Sequence, residues 1–174
     1  MAAIHETAYP RFKPVFTQKE LVEVFKPNSN ELLLLDTNTK KTREVSRLGF
    51  MLLLKYYQYL GRPVKAKNIN DFIKKYVAEQ LNISTEIDLK KYSRTTRKRH
   101  LQIIREHLNI NSDKHAQRQV MKTAALQAAT TKENLADIIN CIIEALFLER
   151  YELPAYKSLV RLSRAARAVT NRHY

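Results

Sequence analysis

The stretch from residue 70 to residue 108, NDFIKKYVAEQLNISTEIDLKKYSRTTRKRHLQIIREHL, decides the fold. With Ile69 just before it, its first third places Phe72, Ile73, Tyr76, Val77 and Leu81 at i, i+3, i+4, i+7 spacing. That spacing is one face of an amphipathic helix and has no strand-like alternation. Asn82 to Ser84 reads as a turn, and Leu89 to Tyr92 as a short helix. Ser93 is placed to cap a further helix that runs to about Leu108, because its hydroxyl can accept an otherwise unpaired N–H of the first turn.

Working outward, the same helical reading extends along the chain. Thr17 and Glu20 form a capping-box pattern for a first short helix ending near Pro27. Asn28, Ser29 and Asn30 offer caps for a second helix, Glu31 to Asp36. A third, from about Thr42 to Leu60, is apolar on most sides (Val45, Leu48, Phe50, Leu52, Leu53, Tyr56, Tyr57, Leu60), so it is the expected buried centre. Gly61 stops it and Pro63 prevents it resuming. Beyond Asn109 to Asp113, the best internal boundary, come a moderately apolar helix over 114–129 and a strongly amphipathic one. The latter carries Leu135, Ile138, Ile139, Ile142, Ile143, Leu146 and Phe147. Pro154 is expected to start the last helix, where a missing N–H does no harm. The fold class is therefore all-α, a compact multi-helix domain spanning 1–174 with lobes 15–110 and 113–174. A helix-turn-helix variant is expected within 68–110.

Charge separates this chain from an ordinary helical domain. Among 174 residues, 31 are Lys or Arg and 17 are Asp or Glu, a net charge of +14. Such an excess repels itself in a compact state, so a polyanionic partner is implied. With 44% hydrophobic residues the chain has enough apolar material for a core and is not a disordered basic tail. Cys141 is the single cysteine, which excludes an internal disulfide and reads as a buried, inert thiol. The start of the chain has no basic-then-apolar signal pattern. The apolar runs Leu48 to Leu54 and Ile138 to Leu148 are too short or interrupted to span a bilayer. The expected setting is reducing and intracellular, for a soluble protein without membrane association.

The densest candidate site lies between Lys90 and Arg105, where Lys90, Lys91, Arg94, Arg97, Lys98, Arg99 and Arg105 occur without an intervening acid. Several occupy the first turns of a helix, where the macrodipole disfavours each cation by roughly 0.3–1 kcal/mol. An approaching anion offsets that penalty. A helical wheel puts Leu101, Ile104 and Leu108 toward the core and Thr95, Arg99 and Gln102 on the opposite side, with Thr96 nearby. Arg can bind guanine in bidentate fashion and Gln can pair with adenine, so Thr95, Arg99 and Gln102 are the base-reading candidates. Arg94, Arg97 and Lys98 flank that line and suit phosphates, with Lys90 and Lys91 beside them. A solvated basic face on an ordinary helix is the plainer alternative. A second basic stripe, Lys157, Arg161, Arg164 and Arg172 with Arg167 at its edge, lies opposite Leu159, Leu162, Ala166 and Val169 in the last helix. It is either a further phosphate surface, through Arg161 and Arg164, or a charged terminal helix. Tyr56, Tyr57, Tyr59 and Tyr92 read as core or rim residues.

Catalytic patterns are weak. Two glycines cannot build a phosphate-cradling loop. His5, His100, His107, His115 and His173 have no companion cysteines at zinc spacing, and His100 with His107 reads as a surface pair. His115 and Arg118 with Tyr174 is a sparse recombinase-like pattern without the surrounding strands and turns that would orient a nucleophile. Glu144, Glu149 and Glu152 are spread along a helix and do not form a carboxylate pair. No catalytic residue, metal ligand or cofactor is therefore expected.

In order along the chain stand Arg47-Leu48-Gly49-Phe50, Gly61-Arg62-Pro63, Ala78-Glu79-Gln80-Leu81, Tyr92, Arg97 and His100, and Leu153-Pro154 with Leu159 and Arg161. This series, spread from about residue 15 to 170, resembles the N-terminal region of transposases of the Tn-three family of replicative transposons. The resemblance implies a helical module that recognises terminal inverted repeats in double-stranded DNA. It also implies a partnership with the much larger remainder of the transposase, and a homodimer in the full protein is compatible with it. In that family strand transfer belongs to a metal-binding carboxylate triad on a distant domain, which this chain does not reach, so a non-catalytic role is expected here. Gly49, inside the third helix, reads as permitting close helix packing. Two other roles compete: an assembly module with only non-specific nucleic-acid affinity, and RNA binding by shape. A truncated product that represses by occupying transposon ends is a variant of the leading reading.

Overall fold

The computed structural model describes residues 3–172, and among these there is no β-strand. Eight α-helices follow in order: α1 Gln18–Phe25, α2 Ser29–Asn38, α3 Glu44–Leu60, α4 Asp71–Gln80, α5 Arg94–His107, α6 Lys114–Ala129, α7 Leu135–Leu148 and α8 Tyr156–Arg172. The chain is all-α. None of these helices is long and apolar enough to cross a membrane.

Two compact units divide the chain, Arg11–Leu108 and a second made of the residues before and after it. The Arg11–Leu108 unit is organised around α3. Every residue from Leu48 to Tyr57 is buried, as a helix apolar on all sides requires. Helices α1, α2, α4 and α5 each pack on it. Local signals start these helices. Thr17 with Glu20 and Asn28 with Glu31 form complete capping boxes, each side chain accepting the other residue's N–H. The Asn70 side chain accepts from Phe72 and Ile73, and Ser93 accepts from Thr96. Gly61 ends α3 in the left-handed region, φ 69°, with its N–H on the Tyr57 carbonyl, a conformation that a Cβ would strain. The Tyr56 hydroxyl accepts the Asn70 N–H at 2.9 Å, tying the start of α4 to the core. Burial pushes that phenol up to about 12.

One charge lies in the middle of this core. Lys55, on the buried stretch of α3, meets Glu31 at 2.6 Å, and the side chains are 7% and 2% exposed. Glu31 also accepts from the Asn28 N–H and from Gln58. Burial alone would raise the Glu31 carboxyl, but the bonds from Lys55, Asn28 and Gln58 outweigh it and hold the group below the ordinary range. The pair therefore locks α2 to α3 only as a pair, because either partner alone is an uncompensated buried charge.

The second unit packs α6, α7 and α8 together. Leu135, Ile138, Ile139, Ile142, Ile143 and Leu146 of α7 form its apolar centre, joined by Leu153, Leu159, Val160 and Ala166. Tyr9 inserts here and donates to the Pro154 carbonyl at 2.8 Å, and Gln117 donates to the Glu152 carbonyl at 2.7 Å. Cys141 is half-buried beside this core rather than enclosed by it.

Several sequence expectations need correction. α8 begins at Tyr156, two residues after Pro154, so the proline precedes the helix instead of opening it. Phe72, Phe147 and Val169 fit helical apolar stripes yet are 60%, 46% and 41% exposed. Their stripes are wider than the surfaces that neighbouring helices cover. His100 is completely buried and does not form a surface pair with His107.

Candidate nucleic-acid interface

Helix α5 and the 3-10 turn Leu89–Lys91 before it carry the basic cluster. The Asp88 side chain accepts from the Lys90 N–H and fixes that turn, while Ser93 fixes the first turn of α5. The inner side of α5 is made by His100, Leu101 and Ile104, all buried. This leaves Arg94, Thr95, Lys98, Arg99 and Gln102 exposed, together with Lys90 and Lys91. Seven of the eight candidates of this cluster are thus on the solvent side, where a polyanion can reach them.

The eighth, Arg97, is half-buried, and its guanidinium donates to the Val64 carbonyl at 2.7 Å. Val64 is itself buried. Arg97 therefore ties α5 to the segment after α3, with one of its five N–H donors committed to the protein. Gln102 donates to Glu106 one turn on, at 3.1 Å, which keeps its amide extended along the exposed face.

Beneath the cluster lies an aromatic lock. The Tyr92 hydroxyl and the His100 Nδ1 are 2.5 Å apart, and Phe50 meets the His100 ring edge-on with centroids 5.0 Å apart. Tyr92 lies so close to α3 that a Cβ on Gly49 would stand 2.6 Å from its ring. Gly49 thus permits the approach of an aromatic ring, carried by the turn before α5, to the helix backbone. Burial lowers the His100 pKa to about 4, with a smaller contribution from the Arg99 charge. Burial also pushes the Tyr92 phenol well above its ordinary value. The imidazole is neutral at pH 7 and acts as a packing and hydrogen-bonding group.

Beside Arg99 the surface forms a polar cleft of about 410 Å³, lined by Thr37, Asn38, Thr39, Lys40, Arg43, Ser46, Thr96, Arg99 and His100. Sequence reasoning missed Lys40 and Arg43. The signal was present, since the link between α2 and α3 reads Thr39-Lys40-Lys41-Thr42-Arg43, but it is shorter than the run at α5 and is joined to it only by folding.

In the second unit, Lys157, Arg161, Arg164 and Arg172 are exposed on α8 and Arg167 is half-buried, while Leu159, Val160, Ser163 and Ala166 face inward. His115 and Arg118 are exposed near the start of α6. Tyr174 and His173 lie outside the described residues, so the recombinase-like pattern has no described third member. Among the described residues no group of three His, Cys, Asp or Glu side chains is arranged to hold a metal ion.

A family model described as a domain of unknown function (DUF4158) matches residues 1–166, nearly the whole chain, and the chain belongs to that family. Comparison with curated proteins finds no match.

Proposed function

We propose that this member of the DUF4158 family binds double-stranded DNA in a sequence-specific way, as the non-catalytic N-terminal module of a transposase that recognises the terminal inverted repeats of its transposon. The observation that carries this reading is the exposed end of α5. Its inner side is filled by His100, Leu101 and Ile104, while Arg94, Thr95, Lys98, Arg99 and Gln102 face solvent beside Lys90 and Lys91. We read α4, the following turn and α5 as a helix-turn-helix variant in which the first turns of α5 enter the major groove. Lys90, Lys91, Arg94 and Lys98 hold backbone phosphates, which supplies affinity without sequence information. Thr95 and Gln102 face base edges, with Arg99 at the border of that face. Arg161 and Arg164 of α8 offer the second unit a phosphate-contacting surface of its own. The transposon end as target follows from the resemblance to Tn-three-family transposases, and catalysis then belongs to the remainder of such a protein.

Footprinting on DNA that contains one end of the transposon tests this reading. Protection confined to the terminal repeat supports it; uniform protection along the fragment overturns it.

One feature favours a second role. On α7, Phe147 and Leu148 are 46% and 77% exposed and border an apolar groove with Ala8, Asn140, Ile143 and Glu144. Such a patch suits protein association, and an assembly module would use it. Sedimentation of the chain alone and with the remainder of the transposase separates the two roles. Association without any DNA preference would favour assembly.

A further inference from the structure

The cleft between the α2–α3 link and α5 is lined by three cationic residues. Lys40 and Arg43 enter from the link, and Arg99 from α5. All three are exposed, and among the described residues none of them is in an ion pair. No carboxylate lines the cleft. Two acids are next to it in sequence: Asp36 is bonded to Arg47 at 2.8 Å, and Glu44, exposed on the first turn of α3, is outside the lining and in no ion pair with Lys40, Arg43 or Arg99. Ser46 and Thr96 add hydroxyls to the lining, whereas Thr37 donates its own to the Leu33 carbonyl at 2.8 Å. Three like charges drawn together without an acid repel one another, and the arrangement is relieved when an anion enters. Guanidinium groups match the oxygen spacing of a phosphate with paired N–H bonds, and hydroxyls satisfy its remaining oxygens. The Arg99 Nη2 is 3.4 Å from the His100 Nε2, so this side chain leans toward the cleft instead of standing out along the helix.

We propose that this cleft holds a backbone phosphodiester of the bound DNA, with Lys40, Arg43 and Arg99 as its cationic ligands. Arg99 then belongs to the phosphate-holding set, and base reading by α5 falls to Thr95 and Gln102. The proposal rests on the DNA-binding reading but not on which sequence is recognised.

Anisotropy titrations of the full chain, across a range of salt, compare the wild type with Lys40→Gln/Arg43→Gln and with Arg99→Ala. Each is run on a terminal-repeat duplex and on a shuffled duplex. Loss of one phosphate contact lowers the magnitude of the salt slope by about 0.9 and weakens binding roughly tenfold at 0.1 M salt. Both variants are expected to lose this on both duplexes equally, with melting temperatures unchanged because the substituted side chains are exposed. An unchanged slope in the double variant overturns the cleft as a phosphate site. A loss confined to the repeat in Arg99→Ala returns Arg99 to base reading and likewise overturns the proposal. Inorganic phosphate provides a separate arm: if it shifts the amide signals of Thr39, Ser46 and Thr96 and duplex DNA does not, the cleft serves a free anion and the proposal fails. If the wild type shows no preference for the repeat but the variants still flatten the slope, the cleft stands and the transposon-end reading falls. If it binds neither duplex, both fall.

Discussion

Replacing Gly49 by alanine tests the packing beneath the basic helix. A Cβ built at this position lies 2.6 Å from Tyr92 Cε2 and 2.7 Å from Cδ2 and Cζ, closer than real Cβ contacts come. Tyr92 cannot simply swing away, since its hydroxyl is bonded to the buried His100. Alanine in a helix interior gains roughly 0.5–1 kcal/mol over glycine. Against that, overpacking costs about 1–3 kcal/mol, and a buried imidazole nitrogen left without its partner costs about 1–3 kcal/mol more. The net expectation is a destabilisation of about 3 kcal/mol, which for a unit of this size lowers Tm by roughly 15 °C. Calorimetry or denaturant unfolding measures it, and Tyr92→Ala supplies the control. With the ring removed, Gly49→Ala should become stabilising by roughly 0.5–1 kcal/mol, so the two sites are strongly coupled. A Gly49→Ala protein that melts higher than wild type, or loses equally in both backgrounds, would refute the packing argument.

Four further expectations concern His100, Lys55, Lys91 and Arg97. His100 is depressed to about 4 in the folded state, below its ordinary 6.5, so between those values the unfolded chain binds a proton that the folded chain does not. Stability is full above pH 6.5 and falls by up to about 1.4 kcal/mol per pH unit toward pH 4; urea midpoints should track this, and His100→Gln should flatten them above pH 4.5, where the lowered Glu31 does not yet titrate. Lys55→Met strands Glu31 in the core and should cost about 3–5 kcal/mol, and a loss below about 1 kcal/mol in chemical denaturation would contradict the buried pair. Lys91→Ala should flatten the salt slope of DNA binding by about one unit with no change in melting. Arg97→Gln should do the reverse, losing about 1–3 kcal/mol of stability while the slope of the folded protein stays the same.

Local signals made much of the fold legible. Thr17 with Glu20, Asn28 before Glu31, Ser93 and Gly61 act within a turn of their own positions, so residue order reveals them. The continuous apolar run of α3 likewise announces a central helix. What the sequence hid depends on partners distant in the chain. Lys55 looks like an interruption of an apolar helix until Glu31 is placed against it. His100 sits among seven cations and reads as surface until Tyr92 and Phe50 close over it. Arg97 resembles its neighbours, and only the Val64 carbonyl distinguishes it. At the candidate interface the solvent-facing set on α5 was readable from the wheel, because one helix supplies it. The cleft was not, since Lys40 and Arg43 come from a separate link.

The central claim is recognition of a particular DNA sequence by the exposed end of α5. It is tested most directly by anisotropy titration of the chain against a terminal inverted-repeat duplex and a shuffled duplex at two salt concentrations. Tighter binding to the repeat is expected, with the preference surviving at the higher salt, because contacts to base edges release no counterions. Equal binding to both duplexes, collapsing together as salt rises, would contradict it and leave only a basic surface on a helical assembly module.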